Sequence, residues 1–125
     1  MDLHINTPLI ESRSINAALR AGHTVELATI SSVASSLGAK RVSEQALRCA
    51  EQHPVHSLLV SDQEAVAACN RFLDDHRVLT EPACGASLAC VYERKAVPEP
   101  YKKPLVIVCG GATTTAEQLR LLQCR

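Results

Sequence analysis

The stretch that decides the fold class is Val106-Ile107-Val108-Cys109-Gly110-Gly111, followed by Ala112-Thr113-Thr114-Thr115-Ala116-Glu117. A short β-branched run leads into two glycines and then into residues that favour a helix N-terminus. This order is typical of a strand–loop–helix unit in an α/β protein, where ligands bind beyond the carboxyl end of the strand. We therefore predict a strand over Leu105–Cys109 and a small-molecule site at its tip.

The rest of the chain predicts helices that alternate with short strands. Helices are expected over Pro8 to Gly22, over Ser31–Leu37, from Ser43 to about Gln52, after Ser61, after Glu81 and after Thr114. A second strand is expected over Ser57–Val60, and Ala96–Pro104 reads as a loop because it carries three prolines. Ser61-x-x-Glu64 and Thr114-x-x-Glu117 have the spacing of capping boxes.

Alternation of helices and strands favours an α/β fold with parallel strands. A stable parallel sheet normally has more strands than these two, with both faces covered. We therefore expect a single domain over residues 1–125 that contains an incomplete parallel sheet flanked by helices.

Composition excludes several classes of function. The formal net charge is zero and no basic stripe is present, so nucleic acid is not an expected partner. No apolar run has membrane-spanning length, and residues 1–4 lack the pattern of a signal peptide. We expect a cytoplasmic protein without membrane contact, with an aliphatic core because aromatic residues make up 2% of the chain.

Cysteine and histidine patterns give little support for a metal site. The six cysteines form no C-x-x-C pair and are interpreted mainly as small buried residues, with disulfides or a metal site as the alternative. His53 and His56 have the spacing of helical ligands, but Pro54 interrupts the helix that would align them.

Three collinear motifs resemble one enzyme family. Ser61–Ala68, Glu81–Ala86 and Val106–Gly111 are similar to segments of animal L-serine dehydratase/L-threonine deaminase, a pyridoxal-phosphate (PLP) enzyme of fold type II. Residues 14–125 resemble the C-terminal third of that family, and residues 1–12 resemble its extreme N-terminus. The resemblance implies that this chain is a remnant of the family's large domain.

The resemblance also implies roles for particular residues. Cys109 would face the pyridine nitrogen of PLP, beside Gly110, although its local pattern fits a residue that merely ends a strand. Glu81 would begin a helix whose start approaches the cofactor ring, although an acidic residue there is equally explained by the helix macrodipole. The backbone carbonyls of Leu37 and Ala39 would hold a monovalent cation.

Other elements of the family's catalytic site do not occur in the printed sequence. It contains no S-x-S-F-K-x-R-G motif for the Schiff-base lysine, no S-A-G-N loop and no glycine-rich phosphate loop. None of the four lysines has the motif's context: Lys40, Lys95, Lys102 and Lys103. No catalytic residue is therefore assigned, and we do not expect PLP or the cation to be retained.

The family reaction is the PLP-dependent deamination of L-serine or L-threonine to pyruvate or 2-oxobutanoate and ammonia, a lyase reaction of amino-acid degradation and gluconeogenesis. Because lysine is both covalent anchor and base in this chemistry, we expect the chain to be inactive alone. The alternative is a non-catalytic interaction module, as a homodimer or a heterodimer with a full-length subunit. A third possibility is activity when another polypeptide supplies the lysine segment.

Overall fold

The computed structural model describes residues 8–10, 13–94, 103 and 105–124. The chain divides into two compact units. The first unit comprises residues 1–31 and 37–59, and the second comprises residues 32–36 and 60–125. The prediction of a single domain over 1–125 stays a prediction.

Two helices and a pair of strands form the first unit: β1 (Pro8–Ile10), α1 (Arg13–Ala21), α2 (Glu44–Gln52) and β2 (His56–Leu58). The strands pair in parallel, with Leu9 opposite Ser57. The helices bury small and aliphatic residues between them, namely Ile15, Ala18, Leu47 and Ala50. The side-chain amide of Asn16 donates to the hydroxyl of Ser57 at 3.0 Å, which connects α1 to β2.

The predicted helix from Pro8 to Gly22 is wrong at its beginning. Pro8–Ile10 is a strand, and α1 begins at Arg13. Pairing with β2 satisfies the backbone of this segment, so tertiary context overrides the local helix signal of proline at a first helical position. The predicted end is confirmed, since Gly22 has φ +72° and donates its N–H to the carbonyl of Ala18 at 2.8 Å.

Three helices form the frame of the second unit: α3 (Asp62–His76), α4 (Pro82–Tyr92) and α5 (Ala116–Gln123). A cluster of small and aliphatic side chains joins α3 to α4, namely Ala68, Cys84, Leu88 and Ala89. Partly buried side chains pack against this cluster, among them Phe72 and Val106. The core is therefore aliphatic and built largely from small residues, as the composition predicts.

Two helix N-termini are capped as the sequence predicts, and a third is capped one residue later. Ser43 caps α2 through the N–H of Ala46, and Ser61 forms the predicted capping box with Glu64. The second predicted box is displaced by one residue, because Thr115 and Gln118 form it in place of Thr114 and Glu117. Thr114 instead donates its N–H to the carbonyl of Gly111 at 3.2 Å, within the preceding turn.

The predicted strand over Leu105–Cys109 is not formed. Residues 105–110 have no regular secondary structure, because a strand requires a hydrogen-bonded neighbour and none pairs with them among the described residues. Val106 packs on the core, whereas Leu105 and Ile107 are exposed. The described sheet thus consists of β1 and β2 alone, and the helix-flanked parallel sheet is not shown.

Smaller differences concern other boundaries. A short 3-10 helix covers Ser35–Leu37 in place of the predicted helix over Ser31–Leu37. The strand predicted over Ser57–Val60 is observed one residue earlier and shorter, as β2 over His56–Leu58. Of the predicted loop Ala96–Pro104, only Lys103 is described. No helix in the described ranges combines the length and apolar character needed to cross a bilayer.

No disulfide joins any of the six cysteines to another. Three are buried, as their interpretation as small core residues predicts: Cys69, Cys84 and Cys90. The other three are exposed: Cys49, Cys109 and Cys124.

Candidate functional site

The N-terminus of α4 brings several polar side chains of the second unit together around Glu81. Glu81 is the N-cap residue, but its side chain makes no capping hydrogen bond. Its carboxylate turns outward and accepts from two hydroxyls, from Ser36 at 3.0 Å and from Thr113 at 2.7 Å. Glu81 therefore connects the segment before α5 with the segment that contains Ser36.

A cavity of about 400 Å³ lies beside this carboxylate. Hydroxyl and carboxamide groups line one part of it, and aliphatic side chains line the rest. The lining residues are Val33, Ala34, Ser35, Ser36, Glu81, Pro82, Ala83, Thr113, Thr114, Gln118, Leu121 and Leu122. Among the described residues the lining contains a carboxylate but no lysine, arginine or histidine, so these residues offer no cationic side chain to an anionic ligand.

The segment Cys109–Gly111 lies against the same helix terminus. The N–H of Glu81 donates to the carbonyl of Gly110 at 3.0 Å, and the N–H of Cys109 donates to the sulfur of Cys84 at 3.3 Å. Gly110 has φ +115°, a backbone conformation that residues with a side chain rarely adopt. At Gly111 a Cβ atom would lie 2.7 Å from the carbonyl oxygen of Leu79, so a side chain would prevent this close approach.

A buried thiol lies beneath the site. Cys69 is fully buried, and its sulfur donates to the carbonyl of Glu81 at 3.2 Å. Burial raises the pKa of the Cys69 thiol, and the nearby Cys84 and Glu81 add to the rise, while the polar groups of Thr80 and Gly85 oppose it. Cys69 therefore acts as a neutral donor that fixes the backbone at the start of α4.

The structure brings together three of the five residues that the resemblance singled out. Glu81 and Gly110 are hydrogen-bonded to each other, and Cys109 is the neighbour of Gly110, with its side chain exposed. Their roles toward a cofactor stay predictions.

The two predicted cation ligands belong to the first unit. Leu37 ends the short 3-10 helix, and its carbonyl accepts the N–H of Ala39 at 3.0 Å. The described residues contain no cluster of three or more His, Cys, Asp or Glu side chains that could hold a metal ion. Cation binding by backbone carbonyls stays a prediction.

Four residues of this site were not predicted: Ser36, Cys69, Cys84 and Thr113. Each is brought to Glu81 or Cys109 by the packing of separate elements, and the sequence separations range from 12 to 45 residues. Of these four, Cys84 could most easily have been predicted from the sequence, because it lies in the motif Glu81–Ala86 that resembles the family. The other three carry no local signal of a site.

A sequence model of the family described as "Pyridoxal-phosphate dependent enzyme" matches residues 5–110 of this chain. The chain belongs to this family of PLP-dependent enzymes. Within the family it is similar to serine dehydratases. Human "L-serine dehydratase/L-threonine deaminase" is 45% identical over 120 residues, which cover 90% of this chain and 37% of that protein. "Serine dehydratase-like" from Rattus norvegicus is 47% identical in an alignment of 132 positions that covers 96% of this chain and 40% of that protein.

Solved structures of PLP-dependent enzymes share the fold. A fungal L-serine ammonia-lyase from Rhizomucor miehei superposes with a TM-score of 0.84 at 31% identity, covering 91% of this chain and 38% of that one. The processed form of threonine deaminase isoform 2 from Solanum lycopersicum has a TM-score of 0.69 at 19% identity, with coverages of 87% and 30%, and shows the fold alone. The resemblance to a fold type II PLP-dependent enzyme is thereby confirmed. The chain spans about two fifths of the length of the relatives it matches.

The described residues fit only part of PLP. Cys109 is exposed and precedes Gly110, which has a positive φ. An exposed residue at this position is compatible with its predicted role of facing the pyridine nitrogen. The described lysines do not line the cavity: Lys40 belongs to the first unit, and Lys103 is exposed in the second. A phosphate group would meet the Glu81 carboxylate there without a cationic side chain to offset the repulsion. A complete PLP molecule does not fit these residues.

Proposed function

We propose that this chain is a serine dehydratase-like polypeptide of the PLP-dependent family that keeps the ring-nitrogen side of the cofactor site and does not deaminate L-serine or L-threonine alone. The single observation that carries the proposal is the composition of the cavity beside Glu81, whose lining has no lysine or other cationic side chain among the residues that the structure describes. In this class of enzyme the protein must hold the cofactor and orient its reactive atom. The described residues that line the cavity supply neither a lysine for the Schiff base nor a cationic group for the phosphate.

The printed sequence supports the same conclusion. The lysine motif through which the family binds PLP covalently does not occur in it. Loss of one member of a catalytic unit already lowers the rate by orders of magnitude. Here the covalent anchor and the phosphate loop are missing together.

Titration of the purified chain with PLP tests the proposal. We expect no saturable absorption band at roughly 400–430 nm, where lysine-bound PLP absorbs, and no pyruvate after addition of L-serine. A full-length serine dehydratase serves as the positive control. Saturable binding together with pyruvate formation would overturn the proposal.

Exposed lysines can form weak adducts with PLP, so a matched variant is needed. Replacing all four lysines by arginine keeps the charge and removes every side-chain amine that could serve as the anchor: Lys40, Lys95, Lys102 and Lys103. If the unmodified chain shows a weak band that disappears in this variant, while neither protein forms pyruvate, the band comes from adventitious adducts. This result agrees with the proposal. Pyruvate from the unmodified chain that is lost in the variant would contradict it.

A second candidate function is pairing with a full-length serine dehydratase-like subunit. It is favoured by the exposure of Leu105 (88%) and Ile107 (64%) in a β-branched segment that has no strand neighbour among the described residues. Such a segment can add to the edge of another sheet. The partner would then be a strand of the full-length subunit, which supplies main-chain hydrogen bonds and aliphatic side chains to this segment.

Sedimentation of a mixture of this chain with the full-length enzyme tests the pairing. We expect a mixed species at micromolar concentration that Ile107→Lys abolishes, because a charge in that interface would be desolvated. Val78→Lys is the matched control, since Val78 is an exposed valine of the second unit outside the segment. Separate sedimentation of the two unmodified proteins would count against pairing.

A further inference from the structure

Two cysteines of the second unit lie in direct contact although 25 residues separate them in the chain. The N–H of Cys109 donates to the sulfur of Cys84 at 3.3 Å. Both are free thiols. Cys109 is exposed, whereas Cys84 is 3% exposed in the first turn of α4.

We propose that Cys84 and Cys109 form an oxidation site in which a peroxide converts the two thiols into an intramolecular disulfide. Disulfides join residues whose Cα atoms lie about 4.4–6.8 Å apart, and contact between the sulfur of one residue and the amide of the other places them as neighbours. The exposed thiol meets the oxidant, and the buried thiol lies behind it as the resolving partner.

The chemistry balances with hydrogen peroxide as the oxidant. The Cys109 thiolate attacks one peroxide oxygen, the O–O bond breaks, and sulfenic acid forms while the released hydroxide becomes water. The Cys84 sulfur then attacks the sulfenic sulfur, the S–S bond forms, and the S–O bond breaks. The leaving hydroxide takes the proton of the Cys84 thiol as water. Two thiols are oxidised, and one peroxide is reduced to two molecules of water.

Other cysteines are less suited to this chemistry. Cys69 is fully buried and donates to a backbone carbonyl, so oxidant does not reach it. Cys49 is exposed, but its sulfur accepts from the side-chain amide of Gln45 in the same helix. Cys109 therefore combines exposure with contact to a second cysteine sulfur. The inference does not depend on cofactor binding.

Peptide mapping of the oxidised full chain tests the proposal. The reduced protein is treated with hydrogen peroxide at low protein concentration, remaining thiols are alkylated, and the chain is digested with trypsin without reduction. We expect a mass loss of about 2 Da in the intact monomer and a cross-link between peptides 78–94 and 103–120.

Variants assign the linkage, because peptide 78–94 contains both Cys84 and Cys90. Cys90→Ser is the matched control, since Cys90 is a buried cysteine of the same helix, and we expect it to keep the cross-link. Cys84→Ser should lower the yield of the cross-link by about tenfold or more. Cys109→Ser removes the one cysteine of peptide 103–120, so its readout is the mass of the intact monomer, and we expect the loss of about 2 Da to disappear. Because Cys109 is exposed, this variant gives its readout even if Cys84→Ser unfolds the chain.

Three outcomes would overturn the proposal. One is a mass loss of about 2 Da in the intact Cys109→Ser monomer with the same yield as in the unmodified chain. Another is loss of the cross-link in the folded Cys90→Ser protein but not in Cys84→Ser. The third is oxidation of the unmodified chain that ends in over-oxidised Cys109 or in dimers linked through Cys49 or Cys124, without the intramolecular product.

Discussion

Gly85 in α4 lies directly against Cys69 in α3. A Cβ atom at Gly85 would lie 2.4 Å from the Cys69 sulfur and 2.1 Å from the backbone oxygen of Ala65. Real Cβ atoms do not approach other atoms so closely, so the two helices touch at a point where only hydrogen fits. This contact sets the separation of α3 and α4 and hence the position of Glu81 at the start of α4.

Gly85→Ala should destabilise the chain. Alanine favours a helix interior over glycine by about 1 kcal/mol, but overpacking against a backbone oxygen costs about 1–3 kcal/mol or more. Because backbone cannot move away as a flexible side chain can, we expect the steric cost to win. The free energy of unfolding, measured by urea denaturation, should fall, while Ser87→Ala on the same helix should change it by less than about 0.5 kcal/mol. A Gly85→Ala protein as stable as the unmodified chain would show that the helices separate easily.

Leu119→Ala should remove most of the packing that holds α5. Leu119 is the one residue of α5 that is fully buried, and truncation of a buried leucine costs about 2–5 kcal/mol through lost burial and a residual cavity. Leu121→Ala is the control, because Leu121 lies on the same helix and is 63% exposed. We expect the midpoint temperature of thermal unfolding to fall strongly for Leu119→Ala and to change little for Leu121→Ala. Equal shifts would mean that α5 does not dock through Leu119.

Thr115→Ala and Thr114→Ala separate two alternative caps of α5. The Thr115 hydroxyl accepts the N–H of Gln118 at 3.1 Å, and the Gln118 side chain accepts the N–H of Thr115 at 2.9 Å. Loss of such a cap costs about 1 kcal/mol. We expect this loss for Thr115→Ala and a clearly smaller change for Thr114→Ala in denaturant titrations. The reverse order would favour the box that the sequence predicts at Thr114 and Glu117.

Stability should decrease at alkaline pH. Burial, the largest cause, raises the pKa of Cys69 above its ordinary 9.0, and burial and Asp75 raise the pKa of Tyr92 above 10.0. The unfolded chain therefore releases these protons first, so their contribution to stability is complete below about pH 9 and is lost as the pH rises through the folded-state values.

Denaturation at a series of pH values from neutral to alkaline measures this loss. Cys69→Ala should reduce the slope above pH 9.0, because it removes the thiol that titrates differently in the two states. Val66→Ala is the control, since it removes buried volume from the same helix without removing a titratable group. An unchanged slope in Cys69→Ala would assign the alkaline loss to other groups.

Local chemistry made several elements predictable. Ser43 and Ser61 begin their helices as expected, because an N-cap needs only a side-chain oxygen and the N–H groups two or three residues later. Gly22 ends α1 because a left-handed residue there is favourable for glycine. Glu81, Cys109 and Gly110 could be singled out because they lie within short motifs that resemble a known family.

Elements that depend on distant partners were not predictable in the same way. Pro8–Ile10 is a strand because β2, almost fifty residues later, supplies its hydrogen bonds. Leu105–Cys109 has the composition of a strand but lacks a neighbour in the described residues. Thr113 and Ser36 became part of the site only when folding brought their hydroxyls to Glu81.

The sequence by itself determined the family, the beginnings of α2 and α3, the end of α1 and the aliphatic, small-residue character of the core, because these follow from motifs and from interactions between residues close in the chain. Tertiary structure alone decided which strand-like segment is paired, that Glu81 faces a cavity whose described lining has no cationic side chain, and that Cys84 touches Cys109. The physical reason is that pairing, burial and charge balance depend on neighbours that are distant in the chain, and such neighbours are set only when the helices and strands pack together.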